Sequence, residues 1–304
     1  MVAALTIAVT GGTGFVGGYV LELLQERAKQ VRALTRRPQT SPAIEWVEGS
    51  LDQPDSLGML VKGAESVIHI AGAINAPSKQ GFEAANVHGT EAVVAAARDA
   101  GIRRFVHVSS LAAREPQLSL YGASKAKSEE IVKASGLDWS IVRPPAVYGP
   151  GDKETLDLFK MARGGRIFMP PRGHLSLIHV DDLARLLIAL AEPDAPSGVT
   201  IEPDDGKPGG WTHIEFGDAL AEAVGKRART ISTPRPMLSL ASKIDRLIRR
   251  DKAKLTADRV AYFCHPDWVA NPALAAPADL WKPGIDTRQG LRATAEWYSA
   301  HRWI

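Results

Sequence analysis

The apolar pattern begins with Ala4-Leu5-Thr6-Ile7-Ala8-Val9, a run of strand length, and after a glycine-rich stretch takes helical spacing in Tyr19-Val20-Leu21-Glu22-Leu23-Leu24. The alternation then repeats. Gln30–Thr35, Ala43–Glu48, Ser66–Gly72, Arg104–Ser110 and Asp138–Val142 read as further strands, and Pro54–Val61, Phe82–Ala100 and a segment from Tyr121 to about Ser135 as the helices between them. Leu156–Arg163 and Leu183–Ala191 read as later helices, the second capped by an aspartate of Asp181-Asp182. Strands and helices in this order predict an α/β fold, a doubly wound parallel sheet followed by a smaller C-terminal lobe.

The link between the first strand and helix is Thr10-Gly11-Gly12-Thr13-Gly14-Phe15-Val16-Gly17. Glycines at 11, 14 and 17 let the backbone turn tightly, approach a ligand and pack helix against strand. The free N–H groups of the helix start, with the helix dipole, suit a pyrophosphate. A tight turn without a ligand is the alternative reading. The second strand ends at Arg36-Arg37. An acid there would bind the ribose hydroxyl of NAD, whereas arginine accommodates the extra phosphate of NADP, and no acid occurs between Arg32 and Ile44. The reading favours NADP over NAD, with a solvated basic turn as the alternative. Ser50 and Leu51 end the third strand, where adenine would lie. Ala71, Gly72 and Ala73 end the fourth, small enough for backbone to pass the cofactor. His69, inside an apolar strand, reads as a hydrogen-bonded core histidine. Residues 1–150 are expected to form the dinucleotide-binding domain, with 175–200 returning to it, and 151–304 mostly a substrate-binding lobe.

Tyr121-Gly122-Ala123-Ser124-Lys125 opens a helix, so residues 121 and 125 share a face. A free tyrosine, with a pKa of about 10, is a poor acid or base near neutrality, and a neighbouring ammonium favours its phenolate. Ser110, at the end of a central strand, is placed to hydrogen-bond a substrate oxygen. With the Thr10–Gly17 loop, Asn86-Val87-His88-Gly89-Thr90, Arg143-Pro144-Pro145-Ala146-Val147-Tyr148-Gly149-Pro150 and Ile178-His179-Val180-Asp181-Asp182-Leu183-Ala184, and on to Gly290–Tyr298, the chain resembles an extended short-chain dehydrogenase/reductase. The resemblance is to the epimerase/dehydratase-like and 3β-hydroxysteroid dehydrogenase-like group, and covers nearly the whole chain.

That resemblance implies a Rossmann fold, Tyr121 as acid/base, Lys125 on the nicotinamide ribose, Ser110 orienting the substrate oxygen and Asn86 supporting the site. It also implies Pro144, Pro145, Ala146 and Val147 along the nicotinamide carboxamide, and a homodimer. Leu111 and Ala112 stand where dehydratases carry an acidic pair, and Leu175-Ser176-Leu177 where nucleotide-sugar enzymes often carry an arginine, with Arg172 out of register. Ser50 replaces an aspartate, and the loop from Ser110 to Tyr121 is short. The resulting expectation is hydride transfer between NADP and a secondary alcohol or ketone of smaller or more apolar kind. The alternatives are a sugar-nucleotide epimerase with retained NAD and a non-catalytic NAD(P)-binding sensor or assembly subunit.

Composition adds little that is specific. A net charge of +3 over 304 residues, with basic residues spread along the chain, gives no argument for nucleic acid. The single cysteine, Cys264, excludes an intrachain disulfide and, with the absence of a leader-like or membrane-spanning run, leads to the expectation of a cytoplasmic protein acting on a small molecule. His179, Asp181 and Asp182 are read as structural, with no metal. In Ser239–Lys254, Leu240, Ile244, Leu247 and Ile248 recur at helical spacing among Lys243, Arg246, Arg249 and Arg250. A packed apolar stripe under a solvated basic face, or a subunit contact, is expected there in preference to a membrane surface. Trp268, Trp281, Trp297 and Trp303 are expected to seal the C-terminal lobe.

Overall fold

A computed structural model describes residues 6–249 and 255–304. Ala4 and Leu5 of the first predicted strand, and Arg250–Lys254 of the predicted basic helix, lie outside the described residues. The chain begins β1 (Thr6–Thr10), α1 (Phe15–Glu26), β2 (Gln30–Thr35), β3 (Glu45–Glu48), α2 (Pro54–Val61) and β4 (Ser66–His69), and continues through β5 (Arg104–Val108) and β6 (Asp138–Val142). With the strand Val199–Ile201 these form a seven-stranded sheet in the order Val199–Ile201, β6, β5, β4, β1, β2, β3. Every pairing is parallel. All positions of β4 and β5 are buried, as strands covered on both faces must be, which is why they read as continuous apolar runs. Phe105, Val67, Leu57 and Val93 lie in the cluster that cements helix to sheet. The strand order reverses between β1 and β4, opening a crevice at their C-terminal ends.

The chain divides into two compact units. The first takes residues up to Pro144, Leu183–Glu202 and Ala276–Lys282, and the second Pro145–Asp182, Pro203–Ala275 and Pro283–Ile304. The return to the first unit begins at Leu183 and not at 175, because Leu177–His179 pairs in parallel with Ala146–Tyr148 inside the second. There Arg166–Met169 pairs with Arg229–Ser232, and Phe159, Leu220, Leu291 and Tyr298 are buried together.

Four local expectations need correction. The predicted helix Phe82–Ala100 is a helical turn Lys79–Phe82, a π-helical turn Glu83–His88 and an α-helix Gly89–Asp99. The helix predicted from Leu183 starts at Val180, and its first turn is met by His179 Nδ1, which accepts from Asp181 N at 3.2 Å. Asp182 instead accepts from Gly284 N and Ile285 N, each at 3.0 Å. Trp268, Trp297 and Trp303 do pack in the second unit, whereas buried Trp281 belongs to the first. Finally, the helix Arg235–Arg249 turns its apolar stripe outward: Leu240, Ile244, Leu247 and Ile248 are all exposed. Among the described residues, no helix is long and apolar enough to cross a membrane.

Candidate active site

The glycine loop lies at the crevice end of β1. Gly11 has φ +77°, and a Cβ there would fall 2.7 Å from Ala71 N, so only glycine lets the two strand ends approach. A Cβ on Gly17 would lie 2.1 Å from Gly11 O, and one on Gly12 2.7 Å from Leu21 Cδ1. Gly14 N donates to Gly11 O at 3.0 Å, and Thr13 and Gly14 face solvent, with Phe15 and Val16, the first residues of α1, half-buried. A cradle of bare backbone ending at an uncapped helix start fits a pyrophosphate. Gly17→Ala is therefore expected to abolish binding of the dinucleotide, measured by fluorescence titration with NADH; unchanged affinity would contradict the cradle.

At the end of β2, Arg36 and Arg37 are exposed, and the turn closes on itself: Thr35 Oγ1 donates to Arg37 O at 2.6 Å and accepts from Arg37 N at 3.2 Å. Ser50, after β3, donates to the Asp52 carboxylate, which holds that carboxyl below its usual range, and Leu51, partly buried, packs against the core cluster.

Asn86 joins the remaining parts. The π turn carries its buried side chain to the backbone after β4, where Oδ1 accepts from Ala73 N at 2.7 Å and Nδ2 donates to Ala73 O at 2.9 Å. The same Nδ2 donates to Ser124 Oγ at 2.9 Å, and Ser124 Oγ donates to the Tyr121 carbonyl at 2.7 Å. An uninterrupted α-helix would place residue 86 in another register; π turns recur where a functional side chain must be re-aimed. A Cβ on Gly72 would meet Asn86 Oδ1 at 2.7 Å and Lys125 Nζ at 3.3 Å, so Gly72, Asn86 and Lys125 converge.

Tyr121 and Lys125 lie on the helix Leu120–Lys133, whose first turn is capped by Ser119 Oγ accepting from Gly122 N at 2.9 Å. Gly122 has no room for a side chain, since a Cβ would fall 2.5 Å from Ala112 O; this brings the helix start against the short turn Leu111–Arg114. Ser110 Oγ caps that turn from the end of β5, accepting from Ala112 N at 3.2 Å. The Tyr121 ring, half-buried, lies 6.2 Å from the Phe82 ring. Lys125 is buried, and its ammonium donates to Val108 O at 2.8 Å. Burial pushes the Lys125 pKa down to about 8, against the pull of Glu129. Ser110, Tyr121, Lys125 and Asn86 thus belong to one hydrogen-bonded and packed assembly. Pro144 closes the first unit, while Pro145, Ala146 and Val147 fall in the second.

Two buried histidines lie beneath. Parallel pairing sets Thr10 beside His69 and His69 beside His107, and the two imidazoles stack at 5.4 Å. The Thr90 hydroxyl donates to Asn86 O at 2.7 Å, so it accepts from His69 Nε2–H at 2.9 Å. His69 Nδ1 then accepts from the Thr10 hydroxyl at 2.7 Å, which defines one neutral tautomer. A hydrogen-bonded path therefore runs from the glycine loop through His69, Thr90, Asn86 and Ser124 to the Tyr121 backbone. His107 Nε2–H donates to Ser128 Oγ at 2.9 Å, since that hydroxyl donates to Lys125 O. Sequence reasoning read His69 as a core histidine and missed the path, because Thr10, Thr90 and Ser124 become its members only through strand register and the π turn.

Burial, and then the Lys125 charge, push His69 from its ordinary 6.5 down to about 3, and the same causes, with His69 third, hold His107 well below its usual value. The unfolded chain takes up protons at these histidines below its own pKa of about 6.5, and the folded chain does not, so stability is lost as pH falls below that value. Each histidine is expected to contribute a slope of about 1.4 kcal/mol per pH unit in that window. Urea titrations of the wild type and His107→Asn would show the variant less steep; equal slopes would contradict the assignment.

The model of the NAD dependent epimerase/dehydratase family matches residues 7–201. The ceramide reductase of Caulobacter vibrioides is 36% identical over 308 residues, 98% of this chain and 96% of that protein. The 2-alkyl-3-oxoalkanoate reductase of Stenotrophomonas maltophilia is 29% identical, over 95% of this chain and 98% of that protein. Among solved structures, MoeE5 in complex with UDP-glucose and NAD superposes with a TM-score of 0.75 at 20% identity, covering 98% of this chain and all of that one. It shares the fold described above, a parallel Rossmann sheet with a smaller C-terminal lobe. The expectation of NADP is overturned by these findings: the matching family is NAD dependent, and MoeE5 and other structures of the fold hold NAD. The physical reason is at hand. Arg36 and Arg37 form an exposed basic turn closed on its own backbone, which has the same sequence with or without a phosphate to bind.

Proposed function

The chain belongs to the NAD dependent epimerase/dehydratase family, and from that premise we propose that it is an NAD-dependent reductase of a ketone on an apolar, lipid-like substrate. The observation that carries the reading is the end-to-end relationship, 36% identity over 98% of the chain, with a protein named for ceramide reduction. In this reading the loop Gly11–Gly17 holds the pyrophosphate and Ser50 and Leu51 border the adenine. Ala71, Gly72, Ala73 and Pro144 line the rest of the cofactor, which supplies the hydride when bound.

The chain's own residues supply the proton and the positioning. Ser110 Oγ and the Tyr121 hydroxyl hold the substrate oxygen, and Tyr121 gives it a proton as the carbinol forms. Lys125, whose ammonium is held by Val108 O at 2.8 Å, lowers the cost of the tyrosinate left behind. Asn86 acts as a positioning residue through Ala73 and Ser124. NADH oxidation in the presence of a ceramide bearing a ketone tests the reading. Stoichiometric loss of NADH with formation of the alcohol is expected, and inertness toward every long-chain ketone tried would contradict it.

A second reading is an epimerase that keeps its NAD and inverts a sugar-nucleotide carbon through a transient ketone. It is supported by the fold shared with MoeE5, a complex with UDP-glucose and NAD. It uses the same four side chains and differs in its outcome: UDP-glucose would be inverted with no net consumption of cofactor. Leu175-Ser176-Leu177, where an arginine would hold the diphosphate, weighs toward the reductase.

A further inference from the structure

The helix Arg235–Arg249 is built inside out. Its protein-facing side carries Ser242, only 5% exposed, with Leu238, Ser239 and Asp245 half-buried beside it. Ser242 Oγ donates to Ser239 O at 2.8 Å, and the Asp245 carboxylate accepts from Leu255 N at 2.8 Å, so the polar groups of that face are turned inward. The opposite side is apolar and open: Met237, Leu240, Ile244, Leu247 and Ile248 are 61, 60, 48, 81 and 74% exposed. Their spacing of three, four, three and one residues places them on a single stripe. Phe263, on the adjoining helix Ala257–Phe263, is exposed as well. Scattered exposed apolar side chains are normal in proteins, whereas a contiguous stripe of large ones marks a surface that meets something.

Charge says what it meets. Between residues 235 and 254 the sequence holds seven cations (Arg235, Lys243, Arg246, Arg249, Arg250, Lys252, Lys254) and two acids (Asp245, Asp251). Of these, Arg235 and Lys243 are exposed on the helix that carries the stripe, so two copies meeting there would bring like charges together. A surface of anionic headgroups over acyl chains complements both features, the charge and the stripe. We propose that this helix docks the protein on an anionic phospholipid bilayer, with the side chains of Met237, Leu240, Ile244, Leu247 and Ile248 entering the boundary between headgroups and acyl chains. The inference rests on the lipid-like substrate reading for its purpose, and on the helix alone for its test.

The test is sedimentation of the full chain with phosphatidylcholine vesicles made with or without phosphatidylglycerol. Binding to the phosphatidylglycerol vesicles alone is expected, weakened by salt as surface charge is screened. The double variant Leu247→Glu/Ile248→Glu is expected to lower it by at least about tenfold, with NADH affinity unchanged. Absence of vesicle binding, equal binding by the variant, or a dimer that the same variant dissociates in place of vesicle binding would each overturn the proposal. Variant-sensitive vesicle binding by a protein that reduces no ketone would uphold the docking and end the reductase reading. Ketone reduction without vesicle binding would do the reverse.

Discussion

Tyr121→Phe is expected to lower kcat by about 10³-fold while changing NADH affinity by less than about twofold. The loss is that of a positioned proton donor; the site around it survives. Ser124 and Asn86 reach residue 121 through its backbone carbonyl, which the substitution leaves in place. The ring keeps its neighbour Phe82 at 6.2 Å, and the helix start keeps its Ser119 cap. Steady-state rates with NADH and a long-chain ketone, set beside a binding titration, check both halves. A fall in affinity matching the fall in rate would show that the residue holds the fold and not the proton.

The largest effect on stability is expected from Arg143→Leu. The Arg143 guanidinium forks onto Glu129, with Nε at 2.8 Å from one carboxylate oxygen and Nη2 at 2.7 Å from the other, and its Nη1 reaches Glu202 at 3.2 Å. Both acids are buried, at 2% exposure each. Burial by itself would raise the Glu129 carboxyl; hydrogen bonds from Arg143 and Ser109 outweigh it and hold the group below its usual range. Removing the guanidinium leaves Glu202 with Arg114 at 3.5 Å and Glu129 with Ser109 at 2.6 Å and Lys133 at 3.3 Å, and breaking a buried charge pair in this way typically costs about 3–5 kcal/mol. By contrast, the exposed pairs of Glu222 with Arg288 and Arg292 are each worth about 1 kcal/mol or less. Urea unfolding of Arg143→Leu and Arg288→Ala would separate the two classes; similar small losses would show the buried cluster to be energetically neutral.

The strands, the glycine loop and the Tyr121/Lys125 pair were legible because each depends on residues close in sequence: an apolar run, a turn that only glycine can make, two positions one helical turn apart. Features set by register were not legible. His69 and His107 stack because β4 and β5 pair in parallel with those residues opposite, a fact absent from either strand alone. The π turn is hidden because its residues have ordinary helical spacing; what distinguishes it is the reach of Asn86 to Ala73. Arg143 joins Glu129 across 14 residues and Glu202 across 59, with no local pattern to announce either. The amphipathicity of Arg235–Arg249 was plain, but periodicity cannot say which face a helix turns to the protein. Arg36 and Arg37 misled for a chemical reason, since a solvated basic turn and a phosphate clamp use the same residues.

One measurement addresses the proposed chemistry without an intermediary: a single turnover of the wild type and Tyr121→Phe with NADH carrying deuterium at its transferable position and a ketone-bearing ceramide. Deuterium on the carbinol carbon in the wild type, with its transfer nearly abolished in the variant at equal NADH occupancy, is the predicted result. Transfer at the same rate in both proteins, or no occupancy by NADH in either, would contradict it.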